Sequence, residues 1–437
     1  MRFPRRSRTA LVAVGAMAAA AALAACGSGS GGGNSKVVTI WTSVDQPVID
    51  GFNKVLLPEA KAKGITVRIK KVNNINQLIM TAIQANNAPD IALIPQPGVV
   101  AEIVKRNKAK PLDNIVDMST LKTSMTPGTL EAGTINGKLY GLLVNMNVKS
   151  LVFYNKKAWA AKGYQAPATL PDLETLANKI KSDNPGAYPW CMGIQDPGGA
   201  SGWPATDWIE DLLMHQSGAT VYNNWVSHKV KFDSPEVQAA GNEMAKLLFT
   251  KGNVAGGQKG IANSNWQTVA NPMFASDTKP GCWMLKQGNF ITGFFPKATQ
   301  TNLNTDVGVF GFPPAQAGGE NPVEGGGDMA TLLNSTKNTQ TVMKMMSQTN
   351  LGSEAAKSGD YISPHKDIDV SLYPNDIVKG AAEVAYKSSG LLFDGSDAMP
   401  ASVGAGSFWK EMVAWCSGSE SLNTALKNID QSWPAGG

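Results

Sequence analysis

The chain has 437 residues, more than one hydrophobic core normally serves, so its length predicts two domains. Its 39 Lys and Arg residues exceed its 34 Asp and Glu residues, which gives a formal net charge of +5, and removal of an amino-terminal leader containing Arg2, Arg5, Arg6 and Arg8 would reduce this charge to +1. A nearly neutral chain lacks the concentrated basic surface that a nucleic-acid ligand requires, and it favours a neutral ligand.

The amino-terminal segment is typical of a lipoprotein export signal. The arginines precede an apolar run at residues 10–23 that is too short for a membrane-spanning helix, and Ala24 and Ala25 then lead to Cys26, a thiol that a diacylglyceryl group can alkylate. We predict a signal peptide at 1–25, an acylated Cys26 and a Gly/Ser tether at 26–35, which together would anchor the protein on the extracellular face of the cell membrane. An ordinary secretory signal with a chance cysteine is the alternative.

The next segment alternates between strand and helix patterns. Residues 37–41 and 65–70 are typical of strands, residues 49–56 and 75–83 have helical spacing, and residues 91–94 form an apolar run of the kind buried in a parallel sheet. This βαβαβ order predicts a doubly wound α/β lobe, in which ligands bind beyond the carboxyl ends of the strands. Ser43 and Gln96 follow two of these strands and are candidate ligand contacts, although both could lie in plain turns.

The second half contains a cluster of tryptophans at a predicted helix start. Trp203, Asp207 and Trp208 combine flat apolar rings with a carboxylate, and sugars bind this combination because their C–H groups pack on indoles while their hydroxyls need acceptors. The alternatives are that Asp207 caps the helix together with Glu210 and that Trp208 is a core side chain.

Two further segments are candidates for a pocket. Residues 325–328 place three glycines before Asp328, where backbone could approach a ligand closely, but no Lys-Ser/Thr follows as in a phosphate-binding loop. Gln287 lies in a polar segment that is typical of a pocket rim. A plain turn and a core segment, respectively, remain the alternatives.

The cysteines and histidines indicate a disulfide and no metal centre. An oxidising exterior permits a disulfide among Cys191, Cys282 and Cys416, and we predict the Cys191–Cys282 pair. The chain has three histidines and no Cys-x-x-Cys or paired-His motif, so we predict neither a zinc site nor a cofactor.

Several longer strings resemble the extracellular solute-binding proteins of sugar ABC importers, and most of all the α-glucoside-binding branch. They are the lipobox, Val-Thr-Ile-Trp at 38–41, and the segments at 88–98, 149–155, 202–211, 325–328, 361–366 and 405–412. The resemblance implies a type II periplasmic-binding-protein fold with two doubly wound α/β lobes and a ligand cleft between them. It assigns residues 36–144 and 311–348 to lobe 1, residues 150–306 and 349–437 to lobe 2, and residues 145–149 and 307–310 to hinge crossings.

The resemblance also implies a mechanism and roles for single residues. A monomeric binding protein closes on a sugar by hinge rotation and presents it to membrane permease subunits. We expect Trp203 and Trp208 to stack on the sugar, and Gly326 to let the backbone approach it. Hydrogen bonds to the sugar are expected from Lys149, Asp207 and Asp328, with support from Ser43, Gln96 and Gln287.

Two other classes remain as alternatives. A secreted glycoside hydrolase would place two carboxylates, such as Asp207 and Asp328, across a glycosidic bond, but nothing in the sequence pairs them. A binder of amino acids or polyamines would need a salt-bridging arginine or a ring of acidic residues, and no such cluster stands out. We therefore expect a binding protein and not an enzyme.

Overall fold

The computed structural model describes residues 36–359 and 361–434, so the predicted signal peptide, Cys26 and tether lie outside the described residues. Within the described part, the strands form two main sheets and a small two-stranded one, and helices pack around both main sheets. No helix in this part of the chain combines the length and the apolar character needed to cross a membrane.

The first lobe begins with the predicted βαβαβ unit. Strand β3 is buried along its whole length, and β1 pairs in parallel with both β2 and β3, as the apolar patterns predict. The elements of this run, in chain order, are β1 (Val37–Thr42), α1 (Gln46–Ala62), β2 (Thr66–Lys71), α2 (Ile75–Gln84), β3 (Ile91–Ile94), α3 (Pro97–Lys105), α4 (Met118–Ser124), α5 (Thr129–Ala132), β4 (Thr134–Ile135), β5 (Lys138–Leu139) and β6 (Gly141–Val148).

The second lobe forms around a mixed sheet with the order β10-β7-β9-β8, in which only β8 and β9 are parallel. Helix α7 begins directly after Thr169, a residue type that favours the N-cap position, and the Thr169 side chain accepts a hydrogen bond from the Asp172 backbone N–H at 3.3 Å. This run comprises β7 (Leu151–Asn155), α6 (Lys156–Lys162), α7 (Leu170–Asp183), β8 (Tyr188–Trp190), α8 (Trp203–Val226), α9 (Pro235–Leu248), α10 (Gly257–Asn263), β9 (Cys282–Lys286), α11 (Lys297–Thr301), α12 (Leu303–Asp306) and β10 (Val307–Gly311).

The chain then returns to the first lobe and finally to the second. The returning elements are β11 (Val323–Leu332), α13 (Lys337–Met346), α14 (Gly352–Ala355), α15 (Asp376–Lys387) and β12 (Leu391–Phe393), followed by α16 (Gly395–Ala398), a π-helical turn at Val403–Phe408, α17 (Trp409–Ser417) and α18 (Leu422–Gln431). Strand β11 lies inside the first sheet, whose order is β12-β11-β3-β1-β2 with β6 paired to β11.

The predicted lobe boundary at residue 348 is wrong. Strand β12 pairs in parallel with β11 in the first sheet, and α14 packs so closely on α1 that a Cβ at Gly51 would lie 2.4 Å from the Ala355 Cα. Helix α14 and strand β12 therefore belong with the first lobe, whereas α15 between them packs on β10 of the second sheet, where a Cβ at Gly380 would lie 3.2 Å from Val309 Cγ1. The predicted boundary missed this because the edge strand β12 is only three residues long.

Within residues 36–359 and 361–434, three crossings join the two lobes, and we define them by their residues. The first crossing is residues 149–150 between β6 and β7, the second is residues 312–322 between β10 and β11, and the third is Asp394 between β12 and α16. The predicted hinge at 307–310 is wrong, because these residues form β10 and pair antiparallel with β7.

A disulfide bond joins Cys191 and Cys282, and Cys416 is a buried free thiol. The bond links the start of β9 to the residue that follows β8, so it ties two neighbouring strands of the second sheet. It lies within the second lobe and does not connect the two lobes.

Candidate functional site

A cavity of about 500 Å³ lies between the two lobes, and we call it the cleft cavity. Ser43, which follows β1, and Asp328, in the middle of β11, line it from the first lobe, while Asn289 and two phenylalanines line it from the second. Its lining residues are Ser43, Val44, Asp45, Val48, Asn145, Asn147, Asn289, Phe290, Gly293, Phe294, Asp328 and Gly359. The first lobe thus supplies carboxylates, amides and a hydroxyl, and the second supplies aromatic rings.

Asp328 and Asn145 form the polar floor of the cleft cavity. Asn145 Nδ2 donates a hydrogen bond to Asp328 Oδ2 at 3.0 Å, and Asn145 Oδ1 has no hydrogen-bond partner among the described residues. Burial raises the pKa of Asp328 to about 6, although the bond from Asn145 partly opposes this shift. Asp328 lines the cavity, so its carboxylate can accept a hydrogen bond from a bound hydroxyl group.

Four aromatic side chains from the second lobe form what we call the aromatic wall, namely Trp203, Trp266, Phe290 and Phe294. The ring centroids of Trp203 and Trp266 are 4.9 Å apart, as are those of Trp266 and Phe294, and Trp203 lies 6.0 Å from Phe290. Trp266 Nε1 donates to Asp196 Oδ2 at 2.8 Å, which fixes its ring. Phe294 keeps 41% of its surface exposed and lines the cavity, so the wall presents apolar faces opposite the polar floor.

The crossings contact a buried group of charges that we call the crossing cluster: Lys149, Asp207, Asp211, Lys286, Glu324 and Asp394. Lys149 Nζ lies 3.1 Å from Asp207 Oδ1 and 3.7 Å from Glu324 Oε1, and it also bonds Asp394. Lys286 Nζ lies 2.7 Å from Asp211 Oδ2 and 3.4 Å from Glu324 Oε2. The two ammonium groups are thus shared among four carboxylates taken from both lobes.

Helix α8 carries the carboxylates of the second lobe that lie near the three crossings. Asp207, Glu210 and Asp211 lie three and four residues apart on one helical face. Glu210 accepts hydrogen bonds from the backbone N–H groups of Gly395 and Ser396 just after the third crossing, and Asp211 accepts one from the Ser150 hydroxyl in the first. The reading of Asp207 and Glu210 as a capping box is wrong, because the N-cap of α8 is Gly202 and both acids lie inside the helix.

The charges of the crossing cluster depend on one another. Burial alone would lower the pKa of Lys149, but the carboxylates of Asp207, Asp394 and Glu324 outweigh it and raise that pKa well above its ordinary value. Burial alone would raise the pKa of Asp394, and the Lys149 ammonium reverses this so that it is lowered. Asp207, Glu324 and Asp394 have oxygens close enough to share one cation, and the Lys149 ammonium lies among them.

Gln96 lies in a second cavity, of about 440 Å³, formed where α3 faces the chain around α16. Its Nε2 donates to Asp397 Oδ1 at 2.9 Å, which connects the end of β3 in the first lobe to the chain beyond the third crossing. Burial and the neighbouring Asp394 raise the pKa of Asp397 to about 7. Gln96 is therefore engaged across the lobes and does not line the cleft cavity.

Three predicted site residues lie away from any ligand surface in the structure. Trp208 is 1% exposed and packs edge-on against Trp190 and Phe312, so it belongs to the core of the second lobe and its predicted stacking role is wrong. Gln287 is buried, and its Oε1 accepts a hydrogen bond from the Gly288 backbone N–H, so it stabilises its own turn and does not line either cavity.

The third of these residues is Gly326, which lies in the middle of β11. A Cβ there would meet nothing closer than the Phe393 ring at 3.9 Å, so no close approach requires a glycine at this position. At Gly325 and Gly327 a Cβ would lie 2.7 Å and 2.0 Å from backbone carbonyl oxygens of β6. The glycines of this motif therefore permit close strand packing, and only its Asp328 reaches the cavity.

Some site residues had no sequence signal. Trp266 lies in a segment without a motif, and Asn145 is a single amide that only the fold brings to the cavity. Asn289, in contrast, lies in the polar segment at 287–289 that is typical of a pocket rim. Phe290 and Phe294 are four residues apart, a spacing that core helices share.

Comparisons with known proteins agree with this architecture. The family model of the bacterial extracellular solute-binding proteins matches residues 42–348. The chain is 31% identical to the osmoprotective compounds-binding protein GgtB of Synechocystis sp. over 87% of this chain and 88% of that protein. It is 30% identical to the alpha-glucosides-binding periplasmic protein AglE of Rhizobium meliloti over 90% of this chain and 85% of that protein.

Solved structures of binding proteins share the fold. The bacterial solute receptor AcbH superposes with a TM-score of 0.77 at 17% identity, covering 91% of this chain and 98% of that chain. The sugar-binding protein MalE from Xanthomonas citri gives a TM-score of 0.69 at 14% identity, covering 90% and 95% of the two chains. The predicted two-lobed α/β fold is confirmed, and the chain belongs to the bacterial extracellular solute-binding protein family.

Proposed function

We propose that this protein captures a neutral sugar, an α-glucoside or another oligosaccharide, in the cleft cavity and delivers it to the permease subunits of an ABC importer. The observation that carries the proposal is the composition of the cavity, with the polar floor of Asp328 and Asn145 opposite the exposed ring of Phe294. Hydroxyl groups need acceptors, and the C–H faces of a pyranose pack on aromatic rings.

The relatives support this proposal through their own ligands. AglE is described as binding alpha-glucosides, and the chain aligns with most of its length. GgtB is described as binding osmoprotective compounds, so such compounds form a second ligand class to test. We expect the protein to act as a monomer, because a complete floor and wall come from one chain.

We further propose that acylated Cys26 anchors the protein to the outer face of the cell membrane. The support is the apolar segment that ends in Leu-Ala-Ala-Cys, together with an extracellular family. Metabolic labelling with a radioactive fatty acid should label the wild-type protein but not the Cys26→Ala variant, and this variant should appear in the medium. Equal labelling of both proteins would contradict the anchor.

A glycoside hydrolase is not favoured by the geometry of the carboxylates. Hydrolysis needs two carboxyl groups facing one scissile bond. Asp207 is 3% exposed and bound to Lys149, so the pair that the sequence suggests, Asp207 with Asp328, is not presented to a common ligand. Incubation with oligosaccharides should leave them intact, and the appearance of shorter products would favour the hydrolase.

The direct test is a thermal-shift screen of the purified protein against neutral mono- and disaccharides, with amino acids and polyamines as the comparison set. A ligand that binds only the native state raises the melting temperature with its concentration. We expect an α-linked disaccharide to give the largest increase. An increase with the charged solutes alone would contradict a sugar-binding function.

A further inference from the structure

The first crossing contacts both of the others. The Ser150 carbonyl oxygen accepts a hydrogen bond from the Phe312 N–H at 2.8 Å, and the Ser150 Oγ accepts one from the Glu324 N–H at 2.7 Å. Ser150 therefore bonds the start of the second crossing and the strand β11 that follows it. The neighbouring Lys149 bonds the carboxylate of Asp394, which is the third crossing. All three connections between the lobes therefore meet at two adjacent residues.

Lys149 also connects this junction to the aromatic wall. Its Nζ lies 5.3 Å from the centre of the Trp203 ring and 3.1 Å from Asp207, which is four residues further along α8. Trp203 in turn packs against Phe290, which lines the cleft cavity. A rotation of the lobes that displaces Lys149 therefore changes the support beneath the wall.

The ammonium group is buried and held by three carboxylates. It donates hydrogen bonds to Asp207 and Asp394, and Glu324 Oε1 lies at ion-pair distance, 3.7 Å away. Separating it from any of them would leave a buried charge without its partner, which is strongly unfavourable. The arrangement of the three crossings is therefore restricted to geometries that keep these pairs together.

We propose that Lys149 is a positioning residue that sets the angle between the lobes and couples this angle to Trp203, and that it does not contact the ligand. The ligand-binding part of this inference rests on the proposed function, whereas the lobe angle is a property of the ligand-free protein. From the sequence, Lys149 is expected to bind the sugar, but a positioning role agrees better with its burial next to the aromatic wall.

The test measures the distance between the lobes by pulsed EPR in the ligand-free protein. Spin labels are attached through K61C on α1 and K259C on α10, two exposed positions on different lobes. The distance distribution is compared among the labelled parent, K149M and the control K157M, whose ammonium also pairs with two carboxylates but is exposed. We expect K149M to broaden or shift the distribution, with at least a tenfold loss of sugar affinity, and K157M to match the parent.

Each outcome decides the question. Weaker sugar binding in K149M with an unchanged distance distribution would show that Lys149 contacts the ligand, and this would overturn the inference. Should K149M not fold, D394N removes only the partner in the third crossing, and an unchanged distribution in D394N would overturn it as well. A parent protein that binds no sugar defeats the proposed function, while the distance comparison still decides the role of Lys149.

Discussion

The cleft cavity and the crossing cluster both contain carboxylates between the lobes, but they differ in what those carboxylates can still bind. In the cavity, Asp328 has a neutral amide partner, and Asn145 Oδ1 has none among the described residues. In the cluster, Lys149 and Lys286 are shared among four carboxylates. A polar residue is available to a ligand only when the protein has not already satisfied it, so residue type alone does not identify a binding site.

The largest expected effect is on the crossing cluster. K286M leaves Asp211 buried without its cation and leaves Glu324 with Lys149 alone, so we expect the free energy of unfolding to fall by about 3–5 kcal/mol in chemical denaturation. The control K387M removes an exposed pair with Glu383 and should change stability by less than about 0.5 kcal/mol. Similar small losses in both variants would mean that the cluster does not stabilise the fold.

Substitutions of Trp203 and Trp208, which are five residues apart, should distinguish an effect on sugar binding from an effect on stability. W208A opens a cavity in the core of the second lobe and should cost about 3–5 kcal/mol of stability, with unchanged sugar affinity in the folded fraction. W203A removes part of the aromatic wall and should weaken binding by about tenfold, with a smaller loss of stability. Denaturation and titration of both variants check this contrast, and the reverse pattern would place Trp208 in the site.

Removal of the disulfide, which lies outside both the cleft cavity and the crossing cluster, should lower stability without changing sugar affinity. The Cys191–Cys282 disulfide spans a sequence separation of 91 residues, so the double variant C191S/C282S should lose about 2–4 kcal/mol. Its sugar affinity should match the parent because the bond lies within the second lobe. Loss of binding in a variant that remains folded at the assay temperature would contradict this separation.

The pKa shifts of Asp328 in the cleft cavity and Asp394 in the crossing cluster have opposite signs. Burial raises the pKa of Asp328 from 3.8 to about 6, so the Asp328 carboxyl group binds its proton more tightly in the folded state than in the unfolded state. The protonated carboxyl group therefore contributes stability that is fully present below pH 3.8 and is lost as the pH rises through 6. D328N should therefore stabilise the ligand-free protein by about 2–3 kcal/mol at pH 8 and by little below pH 4.

Asp394 supplies the control for this pH series. Lys149 holds its pKa below the ordinary value despite burial, so its ionised form contributes stability above that value, and this contribution is lost as the pH falls. D394N should destabilise the protein at pH 8, opposite to D328N. Denaturation of both variants between pH 4 and 8 measures the two signs, and equal signs would contradict the distinction between Asp328 and Asp394.

The sequence predicts the local elements better than their assembly. Buried β3 and the cap at Thr169 follow from periodicity and side-chain chemistry, which act over a few residues. The boundary at 348 was missed because the pairing of β12 with β11 joins segments about 70 residues apart, and no local pattern reports it. Trp203 and Trp208 have the same side chain, and only the packing of α8 decides which one is buried.

The same limit applies to the site. Ser43 and Asp328 could be predicted because strand ends and glycine-rich segments are common at ligand clefts, whereas Asn145 and Trp266 depend on contacts made by the complete fold. Lys149 is a charged residue in the predicted crossing, and its sequence neighbours do not show that three carboxylates surround it.

The most direct measurement is a calorimetric titration of the purified protein with the α-linked disaccharide maltose, with F294A as the matched variant. We expect saturable one-to-one binding to the parent protein and at least tenfold weaker binding to F294A, because Phe294 is the exposed ring of the cleft cavity. Binding of equal strength in both proteins would place the sugar elsewhere. The absence of binding to maltose and to every other neutral sugar in the screen would contradict sugar capture itself.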